Sequence, residues 1–231
     1  MKTQCKITFT IVTLLVINSI SLYSNPNQTM YMQVPSTVCS YNESPGEPLG
    51  SDNLVYWPIT TITWDYNVAD CQETSPNTIN ALGDAFEVWD NVTTANLTFD
   101  QGQSIAPPSL SDEGHNILFF ESDGDSIRNK YNFPSSRFAS TYISTNTSPF
   151  IEIEDVDIIF NAYDYTWTAG TTNVESDDTV VRIQVIATHE IGHLLGIHHH
   201  SDSLSTSIMN TELPLHNMTS YSLHSDDEFS V

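Results

Sequence analysis

The stretch Thr188-His189-Glu190-Ile191-Gly192-His193-Leu194-Leu195-Gly196-Ile197-His198-His199-His200 constrains this 231-residue chain more than any other. His189 and His193 are four residues apart, so on a helix both imidazoles leave one face, one turn apart. A pair placed this way can offer two nitrogens to one Zn²⁺, at about 2.0–2.1 Å each. Glu190, between them, is placed to take a proton from water rather than to ligate the metal. Gly196 predicts a helix stop through a left-handed backbone conformation that costs other residues energy. The returning chain then brings up His199 as a third nitrogen. Of the three consecutive histidines only His199 has the G-x-x-H spacing, and His198 and His200 read as flanking residues. Three protein ligands leave a zinc one open position, as catalytic rather than structural sites do. Five of the eight histidines fall between 189 and 200, which makes a chance match a poor explanation.

The rest of the chain must supply a frame for that helix. With 39% apolar and 10% aromatic residues it can fill one core, and 231 residues suit one mid-sized domain with short extensions. Only six Lys and Arg stand against 29 Asp and Glu, for a net charge of −23. Such a surface has no basic stripe to neutralise phosphates, which excludes nucleic acid as a partner class and favours a soluble monomer.

Lys2 and Lys6 followed by an apolar run from Ile7 to Ile20, then Ser21 and Ser24, have the layout of a secretory signal peptide over 1–24. The run is short for a membrane span, so no stable membrane association is expected after its removal. Export implies an oxidising compartment, and Cys39 and Cys71, left as an even pair once Cys5 is removed, are expected to form a disulfide.

Residues 25–53 are polar and aperiodic and read as a short propeptide or surface arm; the folded domain is expected over 54–231. Ile59 to Tyr66, β-branched and aromatic, suits a first strand. Ser75-Pro76 predicts an N-cap followed by proline, and Ile79, Leu82, Phe86 and Trp89 then mark an amphipathic helix. Leu97–Phe99, Asn116–Glu121, Ala139–Ser144 and Val156–Asn161 are the further expected strands, with 139–144 at an edge and 156–161 central. Residues 101–113 and 122–136 read as loops. The zinc helix is expected over 179–195, capped by Asp177 and Asp178. The order gives an α+β architecture of sheet and helices.

His189-Glu190-x-x-His193-x-x-Gly196-x-x-His199 followed by Ser207-Ile208-Met209 resembles the metzincin zinc endopeptidases, with Met209 as their Met-turn. Among these it is similar to the matrixins, the matrix-metalloproteinase-like family. Ala85–Trp89 with Leu97–Phe99, Glu152–Asn161 and Tyr221–Asp227 resemble their first helix and second strand, their last strand, and their final helix. The resemblance implies a zincin-like twisted five-stranded mixed sheet packed on a first helix and the zinc-binding helix, with a small C-terminal subdomain. It implies one catalytic zinc on His189, His193 and His199, Glu190 as general base, and Met209 as an apolar floor under the imidazoles. Peptide substrate would lie antiparallel to the edge strand at 139–144. Calcium is a further possibility, through Asp123, Asp125, Asp155 and Asp157.

The chain departs from the family pattern in having no Cys-switch propeptide, a slightly long His199-to-Met209 spacing and no Tyr after Met209. His115 is the sole upstream histidine, so a second, structural zinc is not expected. The expectation is therefore a secreted zinc metalloendopeptidase. The alternative is a secreted zinc-binding or adhesion module on the same fold that no longer cleaves.

Overall fold

A computed structural model describes residues 30–33, 55–93, 95–106, 114–146, 151–170, 179–197, 199, 207–210, 223 and 227–228. The strands are β1 (Met30–Gln33), β2 (Val55–Tyr56), β3 (Thr61–Asn67), β4 (Thr98–Ser104), β5 (Asn116–Glu121), β6 (Ala139–Asn146), β7 (Ile151–Asn161), β8 (Thr166–Thr168) and β9 (Val180–Arg182). The two long helices are α1 (Ser75–Asp90) and α2 (Ile183–Leu194).

The main sheet runs β1-β6-β7-β5-β3-β4, with β2 pairing on β7. β4, β3, β5 and β7 are parallel neighbours, and β6 joins β7 antiparallel. The five expected strands are thus β3 to β7, and β1 and β2 extend the mixed sheet to seven strands. Alternation explains the layering. Leu118, Phe120, Ile158 and Phe160 face the helices, where Phe120 and Phe160 stack at 4.7 Å. Ile117, Phe119 and Ile159 face away, into a second cluster with Ile127, Tyr131 and Phe133. Because β5 and β7 are buried on both faces, they read as nearly continuous apolar runs.

α1 buries Thr78, Ala81, Leu82, Ala85, Phe86 and Trp89, and Phe86 stacks on Trp64 of β3 at 4.6 Å. α2 is buried on every side from Val185 to Leu194, so no polar face marks its orientation in the sequence. The Trp57 indole nitrogen donates to the Leu194 carbonyl at 2.9 Å, satisfying a backbone acceptor at the C-terminus of α2. No helix among the described residues is long and apolar enough to cross a membrane.

Several boundaries differ from expectation. α2 starts at Ile183, not 179, because β-branched Val180 and Val181 pair parallel with β8 as β9. Its N-cap residue is Arg182, and Asp177 and Asp178 lie outside the described residues. The cap of α1 is Thr74, one residue before Ser75. β4 continues through Gln101–Ser104, read as loop because this strand pairs on β3 alone and has little apolar content. A π-helical turn at Ser126–Lys130 occupies part of the expected loop 122–136.

The edge assignment of 139–144 is the main correction. β6 has β7 on one side and β1 on the other, with Met30 opposite Thr145 and Gln33 opposite Tyr142. A sheet edge offers unpaired N–H and C=O groups to any extended segment, and the aperiodic N-terminal arm supplies one. Cys39, half of the expected disulfide, lies outside the described residues. Cys71 is half-buried, and the Thr78 hydroxyl approaches its sulfur at 3.5 Å.

Candidate metal centre

α2 holds His189 and His193 one turn apart on one face, with His189 against the 207–210 turn and Glu190 against β6. Gly196, at φ +88°, closes the helix: Ile197 N–H reaches back to the Gly192 carbonyl at 3.0 Å and Gly196 N–H to that of His193 at 2.9 Å. The chain thereby reverses and carries His199 to the other two. His189 Nε2 and His193 Nε2 each lie 3.1 Å from His199 Nε2. Among the described residues this trio is the only group of three or more metal-capable side chains within reach of one ion.

The hydrogen bonds on the far side of two rings decide what the trio can hold. His189 Nδ1 lies 2.6 Å from the Ile208 carbonyl oxygen, and His193 Nδ1 lies 2.7 Å from that of Ile197. A carbonyl only accepts, so each Nδ1 carries the proton and each Nε2 presents a bare lone pair. Each of these lone pairs points at His199 Nε2 at 3.1 Å, and a single Nε2 proton on His199 could satisfy only one of them well, whereas one cation satisfies all three nitrogens. Nitrogens at about 2.0–2.1 Å from a tetrahedral zinc stand about 3.3 Å from one another. Zinc fits this donor set.

Glu190 is 6% exposed. Burial pushes its carboxyl above the ordinary carboxylate range, and a hydrogen bond from Thr141 opposes that shift. The Thr141 hydroxyl lies 2.5 Å from Glu190 Oε2. A buried carboxyl with a raised proton affinity, beside a trio of nitrogens, suits proton transfer.

Beneath the histidines the chain turns at Ser207–Asn210, with Asn210 N–H on the Ser207 carbonyl at 3.3 Å. Met209 is fully buried, and its sulfur lies against Gly192 so closely that a side chain there would collide with it. The turn is fixed from the C-terminal end. Buried Asp227 accepts from Ser207 Oγ at 2.6 Å and from the Ile208 N–H at 3.2 Å. Asp227 thus holds the residue whose carbonyl orients His189.

The structure brings together His189, Glu190, His193, His199 and Met209, while His198 and His200 lie outside the described residues. The four aspartates suggested for calcium do not form one group. Asp123 accepts from Ser126 N–H and Oγ, and Asp125 accepts from the Asn129 amide. Asp155 and Asp157 are buried along β7. His115 pairs with Asp65 at 2.8 Å, away from the trio. Sequence reasoning missed Thr141, Asp227 and Gly192. The only signal for Gly192 was its small size inside a helix, and none existed for the other two.

A mixed sheet whose antiparallel strand β6 lies beside α2, backed by two helices of which α2 carries two of the trio, defines an α+β fold of the metzincin class. The chain belongs to the matrixin family, which it matches over residues 56–231. Matrixins are zinc metalloproteases, so a hydrolase of peptide bonds is the family-level activity. A comparison with curated proteins returns no match.

Proposed function

We propose that this chain is a secreted zinc metalloendopeptidase that hydrolyses peptide bonds of protein substrates. The observation that carries the reading is the convergence of three Nε2 atoms, two with their tautomer set by backbone carbonyls, beside one buried carboxylate. His189, His193 and His199 would hold the zinc, which when bound polarises a carbonyl and brings the pKa of water to about 7. Glu190 takes the proton of the attacking water. It then returns the proton to the departing amine. Asp227 holds the His189 imidazole through the Ile208 carbonyl, and Met209 packs under α2 against Gly192. β6 runs beside α2 and would align an extended peptide once its edge is free.

The signal peptide at 1–24, the arm at 25–53 and the catalytic domain at 54–231 complete the proposal. Glu190 separates it from a zinc-binding or adhesion module, because a site that only binds has no use for a buried base there.

The test is cleavage of casein and of quenched fluorescent peptides by the purified full chain, alongside Glu190→Ala. The variant is expected to keep one zinc and to lose turnover by roughly 10²–10⁴-fold. Unchanged turnover overturns the mechanism, and a zinc-loaded wild-type chain that cuts nothing supports the binding module.

A further inference from the structure

β6 enters the site through one side chain. Thr141 is 2% exposed, and its hydroxyl lies 2.5 Å from Glu190 Oε2 and 3.2 Å from the Glu190 backbone oxygen. A hydroxyl has one proton to give, and both neighbours are acceptors when Glu190 is ionised. The shorter, charge-assisted contact to Oε2 takes it. Glu190 is otherwise a long side chain whose terminal torsion is soft, so its carboxylate plane has no covalent reason to hold one orientation. The Thr141 side chain does have one. It is β-branched and stiff at χ1, and its backbone is held by pairing with Ile158 of β7, one residue beyond the end of the β1 ladder at Tyr142.

We propose that Thr141 is a positioning residue for hydrolysis: its hydroxyl pins Oε2 of Glu190 and so presents Oε1 to the attacking water. The proposal rests on the reading of the chain as a peptidase. In the step it serves, water gives one proton to Oε1 and its oxygen bonds to the scissile carbonyl carbon. The carbon–nitrogen bond then breaks and Oε1 passes that proton to the amine. The Thr141 proton stays on Thr141 throughout. The neighbouring residue, Tyr142, is opposite Gln33 in the ladder with β1, so the strand that can align an extended chain also sets the base. A one-residue slip of β6 would send the hydroxyl to the other face and release the carboxylate.

The experiment compares full-length wild type, Thr141→Val and Thr141→Ser on one quenched fluorescent peptide, with zinc content and melting temperature measured for each. Valine keeps the shape and removes the hydroxyl; serine keeps the hydroxyl and removes the methyl. Thr141→Val is expected to lower kcat roughly ten- to a hundredfold, as for loss of a hydrogen bond to a charged group. KM, zinc content and melting temperature should stay near wild type, and Thr141→Ser should restore most of kcat. Equal loss in both variants, or a rise in KM alone, assigns Thr141 to packing and overturns the proposal. So does wild-type kcat in Thr141→Val. If wild type itself cuts no peptide, the peptidase reading fails, and crystal structures of the zinc-loaded proteins then decide Thr141. One Glu190 carboxylate position in wild type and several in Thr141→Val support pinning; the same position in both overturns it.

Discussion

The indole nitrogen of Trp89 donates to the backbone carbonyl of Thr188 at 2.8 Å, linking the last turn of α1 to the residue before His189. Trp89 and Thr188 are both buried, so water cannot replace the indole at that carbonyl. Trp89→Phe keeps an aromatic ring and removes the second donor to that carbonyl, which also serves the helix, leaving a gap where the indole packed. The expected cost is about 1–3 kcal/mol by urea denaturation. Zinc affinity, measured by competition with a chromophoric chelator, should fall with it.

Gly192 lies inside the metal motif and has no room for a methyl group. A Cβ there would land on Met209 Sδ and within 2.9 and 3.0 Å of Met209 Cε and Trp89 Cζ2. The Met209 tip can give way, whereas the Trp89 ring cannot without breaking its hydrogen bond. Gly192→Ala is expected to destabilise by about 1–3 kcal/mol as an overpacked site, despite alanine's better helix propensity. A melting temperature at or above wild type would show that Met209 moves freely.

Asp227 acts on the metal centre through backbone. It accepts from Ser207 and Ile208, and the Ile208 carbonyl then holds His189 Nδ1. Asp227→Ala leaves buried donors unpaired and frees the turn. Zinc affinity is expected to drop roughly 10–100-fold, the usual effect of losing a group that orients a ligand. Isothermal titration of the metal-free protein with zinc reads it directly.

Glu73 gives the molecule a pH dependence unconnected with the metal. Its carboxylate accepts from Thr74 N–H at 2.9 Å, the Asn77 amide at 3.2 Å and Ala169 N–H at 3.2 Å, joining the start of α1 to the chain after β8. These bonds, Thr74 first, hold its carboxyl below the ordinary value of 4.5. Glu73 therefore adds stability above that value and loses it as pH falls through the lower folded value. The melting temperature of Glu73→Gln should lie below wild type at neutral pH, and the gap should close on acidification. A constant gap across that range would exclude the carboxylate as its cause.

Zinc itself should stabilise the folded chain, because the three Nε2 atoms converge only when α2, the Gly196 turn and the 207–210 turn are in place. At free zinc a hundredfold above its dissociation constant the gain is about 2.7 kcal/mol. A chelator is expected to lower the melting temperature of wild type and to leave that of His193→Ala unchanged.

The parts of this site that share one helix and one turn were legible in the sequence, since their geometry follows from local periodicity. His189, Glu190, His193 and the Gly196 reversal are of this kind. The central strands were legible because β5 and β7, covered on both faces, have little choice but apolar residues. What escaped depends on distant segments. Thr141 is 49 residues from Glu190 and Asp227 is 20 from Ser207, and neither residue type is unusual for its setting. Val180–Arg182 reads as the start of the helix in the sequence because strand and helix share a boundary there, and the partner in β8 decides it.

β1 changes the thermodynamics of any peptide arriving at β6. The backbone groups an incoming chain would use already serve Met30–Gln33. Entry there is a replacement reaction, in which ladder bonds broken and formed nearly cancel. Main-chain pairing then contributes little net affinity, and discrimination among peptides passes to side chains. A tethered occupant also acts as a competitor at fixed effective concentration, whatever the amount of enzyme. Dilution cannot relieve it, whereas severing the connection after Gln33 would.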